Sequence, residues 1–378
     1  MIRNDHFYEA LRNNGVGFFC GVPDSLLKEF CGFLSNEVDE NKHIIAANEG
    51  GAVALASGYQ LATGKLPFVY MQNSGLGNAI NPLLSLADPD VYSIPMLVLI
   101  GWRGEPGVKD EPQHRKQGRV QNAMLDAMEI PYVELKVDTP DVENLVKKAA
   151  ERARKDGGPV AILVRKNTFE SNRFAEKESN DYTMTREDAI AFILEHISPD
   201  DILVSTTGKP SREVYEIREA KGDGHQRDFL TVGSMGHSSQ IALGIAMNSR
   251  RNVYCLDGDG SVIMHMGSLC ITGCNAPDNF RHVVLNNGAH DSVGGQPTVA
   301  FDISIPGAAK GCGYRNVYSV STAEELKTQF RRFQHSAGPA LMEIRVKKGA
   351  RQNLGRPSTS PAENKRELMK LLTHISHD

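Results

Sequence analysis

Short apolar runs recur along the chain, each closed by Gly, Pro or a polar residue and followed by a longer stretch of helical character. Seven such runs predict strands, at 67–72, 94–101, 159–165, 201–206, 252–257, 282–286 and 340–346. They do not alternate apolar with polar positions, which is the pattern of strands buried on both faces in a parallel sheet. Alternation of such strands with helical segments predicts an α/β chain built of doubly wound parallel sheets. Residues 166–184 (KNTFESNRFAEKESNDYTM) are polar and poor in aliphatics, as a linker would be. The expected organisation is therefore two α/β domains of similar size, 1–175 and 176–378. Each half also carries a helical stretch rich in Gly, Ala and Ser, at 48–64 and at 233–249. Small residues of that kind let a helix approach another backbone closely.

Composition narrows the possible functions. A chain of 378 residues can bury two ordinary cores. With 42 Lys and Arg against 46 Asp and Glu, it offers no basic surface for nucleic acid. No signal peptide or membrane-spanning run is evident, so no membrane partner is expected. The six cysteines (Cys20, Cys31, Cys255, Cys270, Cys274 and Cys312) follow no repeated spacing. Cys270 and Cys274 lie one helical turn apart but lack the second ligand pair of a zinc site. Free thiols point to the cytoplasm.

Several nucleotide and hydrolase motifs can be set aside. GLGNAI (75–80) starts like a dinucleotide fingerprint, but Ile80 fills its third small position and no acid ends the next strand at the required distance. There is no Walker lysine loop and no Gly-x-Ser-x-Gly elbow. A different feature stands out at CLDGDGSVIMHMGSL (255–269), where an apolar strand runs into two acids held between glycines. Neighbouring acids need a cation, a proton or a helix terminus to offset them. The following stretch is helical, which puts Asp259 and the Ser261 amide at a helix start, where anions bind. About one helix and one strand later, HVVLNN ends in Asn286 and Asn287. In a parallel sheet both motifs reach the same edge, where ligands of open α/β sheets bind. A carboxylate, an amide oxygen and a loop carbonyl are hard ligands suited to Mg²⁺, which keeps its other positions for phosphate oxygens and water.

Gly258-Asp259-Gly260, this spacing and Asn286-Asn287 together resemble the signature of thiamine diphosphate-dependent 2-oxo-acid decarboxylases. Glu49, in ANEGGAVALASGY, matches the glutamate that binds the aminopyrimidine ring. GSMG (233–236) matches the loop that grips it, with Met235 beneath the cofactor, and GVPDSLL (21–27) resembles the opening Gly-x-Pro loop. The order, pyrimidine-binding domain before diphosphate-binding domain, is also the family's, without its usual central domain. DEPQHRKQGR (110–119), NNGAHDSVGGQPT (286–298) and GRPSTSPAENK (355–365) resemble the two-domain branch that acts on phosphonopyruvate or sulfopyruvate.

The resemblance implies a non-oxidative decarboxylation, of phosphonopyruvate to phosphonoacetaldehyde and CO₂, through a cofactor ylide and enamine. That reaction belongs to phosphonate (2-aminoethylphosphonate) biosynthesis. Sulfopyruvate is the alternative substrate; a carboligase of the acetolactate synthase type and a non-catalytic cofactor-binding partner are further alternatives. Glu49 would donate to the pyrimidine N1′, for which it must hold a proton. The Gly233 carbonyl would accept from the 4′-amino group, with Ser234 beside it in the loop. Asp259, Asn287 and the Ala289 carbonyl would hold Mg²⁺. Gly258, Gly260 and the Ser261 amide would line the diphosphate. Asp24, His114, His290 and Asp291 are the candidate acids for protonating the product, with pKa values expected near neutral. Ser25, Arg115, Lys116 and Gln296 are the candidates for the substrate's second anionic group. The family also implies an obligate homo-oligomer, with Glu49 and Asp259 of one site supplied by different chains.

Overall fold

The structure, a computed structural model, describes residues 1–171 and 180–373. The chain divides into two compact units, Met1–Lys177 and Glu178–Asp378. The expected 175/176 boundary, and the middle of the 166–184 linker, lie outside the described residues.

The first unit is built on β1 (Val16–Gly21), β2 (His43–Ile45), β3 (Leu66–Gln72), β4 (Met96–Gly101), β5 (Tyr132–Leu135) and β6 (Pro159–Val164). Their order in the sheet is β2-β1-β3-β4-β6-β5, and the pairs are parallel. The second unit uses β7 (Ile202–Ser205), β8 (Asp228–Leu230), β9 (Val253–Gly258), β10 (Phe280–Asn286), β11 (Asn316–Val320) and β12 (Ala340–Arg345). Their order is β11-β12-β10-β9-β7-β8, again parallel. Counted from its own first strand, the second sheet reads 2-1-3-4-6-5, the same topology as the first. The chain thus repeats an architecture without repeating its sequence.

Every residue of β4, β6 and β10 is buried, as their unbroken apolar runs require. Separate clusters of buried side chains pack on the sheets. Phe7, Phe30 and Phe68 belong to one in the first unit, and Val98, Ile100 and Leu163 to another. Leu256, Val283 and Phe330 and then Val253, Val284 and Leu341 do the same in the second. Each fully buried Leu, Ile or Phe contributes about 1.5–3 kcal/mol through surface removed from water. Five strands fall outside the seven expected runs: the edge strands β2, β5, β8 and β11, which contain half-buried or exposed positions, and the interior strand β1, whose short run VGFFCG is broken by glycine. The helix expected at 48–64 is Glu49–Thr63, started by the Asn48 side chain accepting from the Gly51 N–H. The one expected at 233–249 begins only at Ser238. Residues 233–237 form a loop, with Ser234 at φ 55° and Gly236 at φ 85°.

In each sheet the order reverses beside the unit's first strand, between β1 and β3 and between β7 and β9. Connections then leave on opposite faces and open a crevice at the carboxyl ends of those strands.

Candidate active site

In the first unit this crevice gathers polar side chains from three strand ends. Beyond β1, Asp24 is completely buried. Gln72, the last residue of β3, donates from Nε2 to its Oδ1 at 2.5 Å, and the Leu26 N–H donates to its Oδ2 at 3.2 Å. Arg103, two residues past β4, donates from Nη1 to the Ser25 Oγ at 2.5 Å. Its Nε and Nη2 form a fork with Asp110 at 2.8 and 2.5 Å. Burial alone would raise the Asp110 carboxyl; the Arg103 fork and the Gly104 N–H overcome it and hold the group down at about 2. Asp24 goes the other way: burial raises it, against Gln72 and the nearby Arg103 charge. His114, in the first turn of the helix Pro112–Ala127, lies close enough to feel both members of the Arg103–Asp110 pair. Burial, then the Arg103 charge, push its imidazole down to about 4.

Glu49 occupies a second position in the same unit. It is 5 % exposed, and its Oε2 accepts from the Asn78 Nδ2 at 2.8 Å. Its carboxyl lies directly against Gly75: a Cβ there would come within 2.2 Å of Oε1. The short segment after β3 therefore links the two positions, with Gln72 on Asp24 and Gly75 on Glu49.

The second unit places its motifs at the matching crevice. Thr206, just past β7, donates to the Ser261 Oγ at 3.1 Å, just past β9. The same Ser261 Oγ accepts from the Gly236 N–H at 3.0 Å, so this side chain fastens the 233–236 loop to the Gly-Asp-Gly turn. Met235 is half-buried, and its methyl and the His290 ring both pack at Gly260, where a Cβ would meet them at 3.4 and 2.9 Å. Asp259 is 3 % exposed and accepts from the Thr298 Oγ1 at 2.5 Å. Burial pushes its carboxyl up to about 6.

The loop after β10 completes this half. Asn287 Oδ1 accepts from the Ala289 N–H at 3.1 Å, and its Nδ2 donates to Asp291 Oδ2 at 2.7 Å. That Asp291 oxygen also accepts from Arg186 Nη1 at 3.0 Å and the Gly349 N–H at 3.1 Å, while Arg186 forks onto buried Glu213. Asp291 is thus engaged by a buried network. Half-buried His290 is pushed down to about 4, chiefly by burial. The backbone carbonyl of Gln296 accepts from the His290 N–H at 2.8 Å, which pins the loop closed.

The site residues expected from sequence therefore fall into two local groups. Asp24, Ser25 and His114 gather around Arg103 and Asp110, with Glu49 nearby on the β3 segment. Gly233, Ser234, Met235, Gly258, Asp259, Gly260, Ser261, Asn287, Ala289, His290, Asp291 and Gln296 lie in or beside the second unit's crevice. Arg115 and Lys116 stand apart, exposed on their helix. Burial also turns His114 and His290 away from neutral pKa values, and moves Asp24 towards them. The residues missed from sequence are Gln72, Arg103, Asp110, Thr206, Arg186 and Thr298. Arg103 and Asp110 bracket the GEPGVK loop directly after a strand, a legible signal of an opposite-charge pair. Thr298 left none.

The residues present fit the expected cofactors. Asp259 is a buried carboxylate whose charge meets a hydroxyl and backbone N–H groups but no cationic side chain among the described residues. A hard dication would supply what is lacking.

Comparison with known proteins gives the same answer. Residues 3–130 match the N-terminal TPP-binding domain of thiamine pyrophosphate enzymes, and 207–344 match their C-terminal TPP-binding domain. The phosphonopyruvate decarboxylase of Streptomyces viridochromogenes is 34% identical over 388 residues, spanning 99% of this chain and 96% of that protein. The one from Streptomyces hygroscopicus is also 34% identical, over 99% and 94%. The sulfopyruvate decarboxylase of Methanosarcina acetivorans is 28% identical over 90% of each. With both cofactor-binding domains in place and this likeness running the length of the chain, the protein belongs to the thiamine pyrophosphate enzymes, within the phosphonopyruvate decarboxylase family.

Proposed function

We propose that the protein converts phosphonopyruvate to phosphonoacetaldehyde and CO₂, without oxidation, in phosphonate biosynthesis. When bound, thiamine diphosphate supplies the electron sink that a 2-oxo acid needs in order to lose CO₂. The chain binds, orients and moves protons. Glu49, oriented by Asn78 and backed by Gly75, serves the pyrimidine N1′. Gly233 and Met235 would hold the rings from a loop that Ser261 keeps in place. Asp259, Asn287 and the Ala289 carbonyl would hold Mg²⁺, and the Gly260–Ser261 backbone would bind the diphosphate. Asp24, whose carboxyl burial lifts above the ordinary carboxylate range and which Gln72 orients, is the acid assigned to proton transfer. His114 and His290, held neutral, act as hydrogen-bonding partners of the reacting oxygens. Asp291 positions Asn287. All six cysteines are free thiols, in keeping with the cytoplasm.

The observation that carries the substrate assignment is Arg103. It is a half-buried guanidinium held beside Asp24 and Ser25, whereas Arg115 and Lys116 are exposed on their helix. A phosphonate or sulfonate gives it a second anionic group to bind; pyruvate leaves its remaining donors unpaired, which costs specificity steeply. Measured kcat/KM should follow phosphonopyruvate, then sulfopyruvate, then pyruvate, with at least ~100-fold between first and last. Arg103→Ala should collapse that ratio, and Arg115→Ala or Lys116→Ala should change it little. A wild-type preference for pyruvate overturns the assignment. A sulfopyruvate preference moves it to the second reading, which the Methanosarcina relative favours.

A further inference from the structure

Three of the six thiols are buried and inert: burial pushes Cys20 up to about 12 and raises Cys31 and Cys255 well above the ordinary thiol value. The other three are accessible and gather at one place on the second unit. Cys270 is exposed in the helix Ser268–Asn275, and Cys274 is exposed one turn further on. Cys312 is half-buried and caps the C-terminus of the helix Ile305–Gly311. The sulfurs of Cys270 and Cys312 are 3.1 Å apart, inside ordinary contact distance for two sulfur atoms. Approach by a further ~1 Å would reach the length of a disulfide bond.

The backbone holds them there. Gly273, three residues after Cys270, lies so close to Cys312 that a Cβ on it would come within 2.0 Å of the Cys312 carbonyl oxygen. The Cys312 N–H in turn donates to the Ala308 and Ala309 carbonyls at 3.0 and 3.1 Å. Both thiols are thus carried on elements in direct backbone contact, and no rearrangement of the fold is needed to join them. Neither cysteine has a part in the cofactor or substrate chemistry.

We infer that Cys270 and Cys312 form a modification site, at which a low-molecular-weight disulfide oxidises them to an intramolecular disulfide. Cys270, the more exposed, attacks the reagent as a thiolate, breaking its S–S bond and releasing one thiolate. The Cys312 sulfur then attacks the mixed disulfide at Cys270 and releases the second. The two cysteines lose two electrons and two protons, and the reagent leaves as two thiols. The bond closes a loop of 42 residues in sequence separation, so it restricts the unfolded chain and raises the unfolding temperature.

The native holoenzyme treated with oxidised glutathione tests this. Titration with a thiol-specific chromogen should find three accessible thiols before treatment and one after. Peptide mapping should recover a Cys270–Cys312 cross-link, absent from Cys270→Ser and Cys312→Ser and retained in Cys274→Ser. The oxidised wild type should melt several degrees higher, and dithiothreitol should reverse the shift. Separate glutathione adducts at both positions, a bond to Cys274, a cross-link between chains, or no reaction would each overturn the inference. The wild-type map decides the matter even if a serine variant folds poorly.

Discussion

Asp259 and His114 show how far a buried group departs from its ordinary chemistry. Asp259 is destabilised by burial and has no cationic side-chain partner among the described residues. Asp259→Asn keeps the shape and removes the charge. Magnesium-dependent binding of thiamine diphosphate should fall at least ~100-fold by calorimetry, while the cofactor-free variant unfolds no lower than wild type. Undiminished binding would mean that the metal is held elsewhere. His114 allows a test by pH. Its folded value of about 4 lies below the ordinary 6.5, so the unfolded chain takes up its proton first. The stability this group contributes is therefore complete above pH 6.5 and is lost as pH falls towards 4. Its full size is at most about 3 kcal/mol, and nearer 1–2 after solvent screening. His114→Gln should flatten that part of the stability curve in denaturant titrations. An unchanged curve would place the imidazole in contact with water.

At the scale of elements, the segment that leaves β3 matters most, because it supports both Asp24 and Glu49. Gly75 and Gly77 make a matched pair. A Cβ at Gly75 meets the Glu49 carboxyl, whereas one at Gly77 meets nothing within 4 Å. Gly75→Ala should displace Glu49, weakening the cofactor's effect on the melting temperature and lowering kcat at least ~10-fold. Gly77→Ala, inside the helix Leu76–Ser85, should keep activity and add up to about 1 kcal/mol of stability. Equal effects from both would show that Gly75 serves the helix and not the glutamate. Neither glycine could be ranked from sequence, since GLGNAI shows small residues without the carboxyl that one of them touches. The strand runs were readable because double burial demands unbroken apolar side chains. The edge strands, with half-buried and exposed positions, carried a weaker signal, as did the glycine-broken run of interior β1. The start of the helix at Ser238, instead of 233, was set by positive φ angles at Ser234 and Gly236.

For the whole molecule, the family resemblance implies that one chain's pyrimidine-binding unit serves another chain's diphosphate-binding unit. Glu49→Gln and Asp259→Ala chains are each expected to be inactive alone. Mixed with subunit exchange, they should recover up to about a quarter of wild-type activity: half the dimers are mixed, each with one intact site of two. No recovery after exchange is demonstrated by mass spectrometry would assign each site to a single chain.

By itself the sequence determined the fold class and the two cofactor-binding halves, and it singled out the Gly-Asp-Gly turn proposed to carry the metal and diphosphate. Those depend on local rules: apolar runs for buried strands, glycines where a backbone must turn, and a fixed count of residues for one helix and one strand. Only the tertiary structure decided which polar side chains gather around Asp24 and Asp259. Arg103, Asp110, Gln72 and Asp24 come from three strand ends, and Thr298 reaches Asp259 across 39 positions. Whether a guanidinium is half-buried against a carboxyl or exposed on a helix, as with Arg103 and Arg115, depends on which chain segments fold over it. Hydrophobic pattern and spacing along the chain do not encode that.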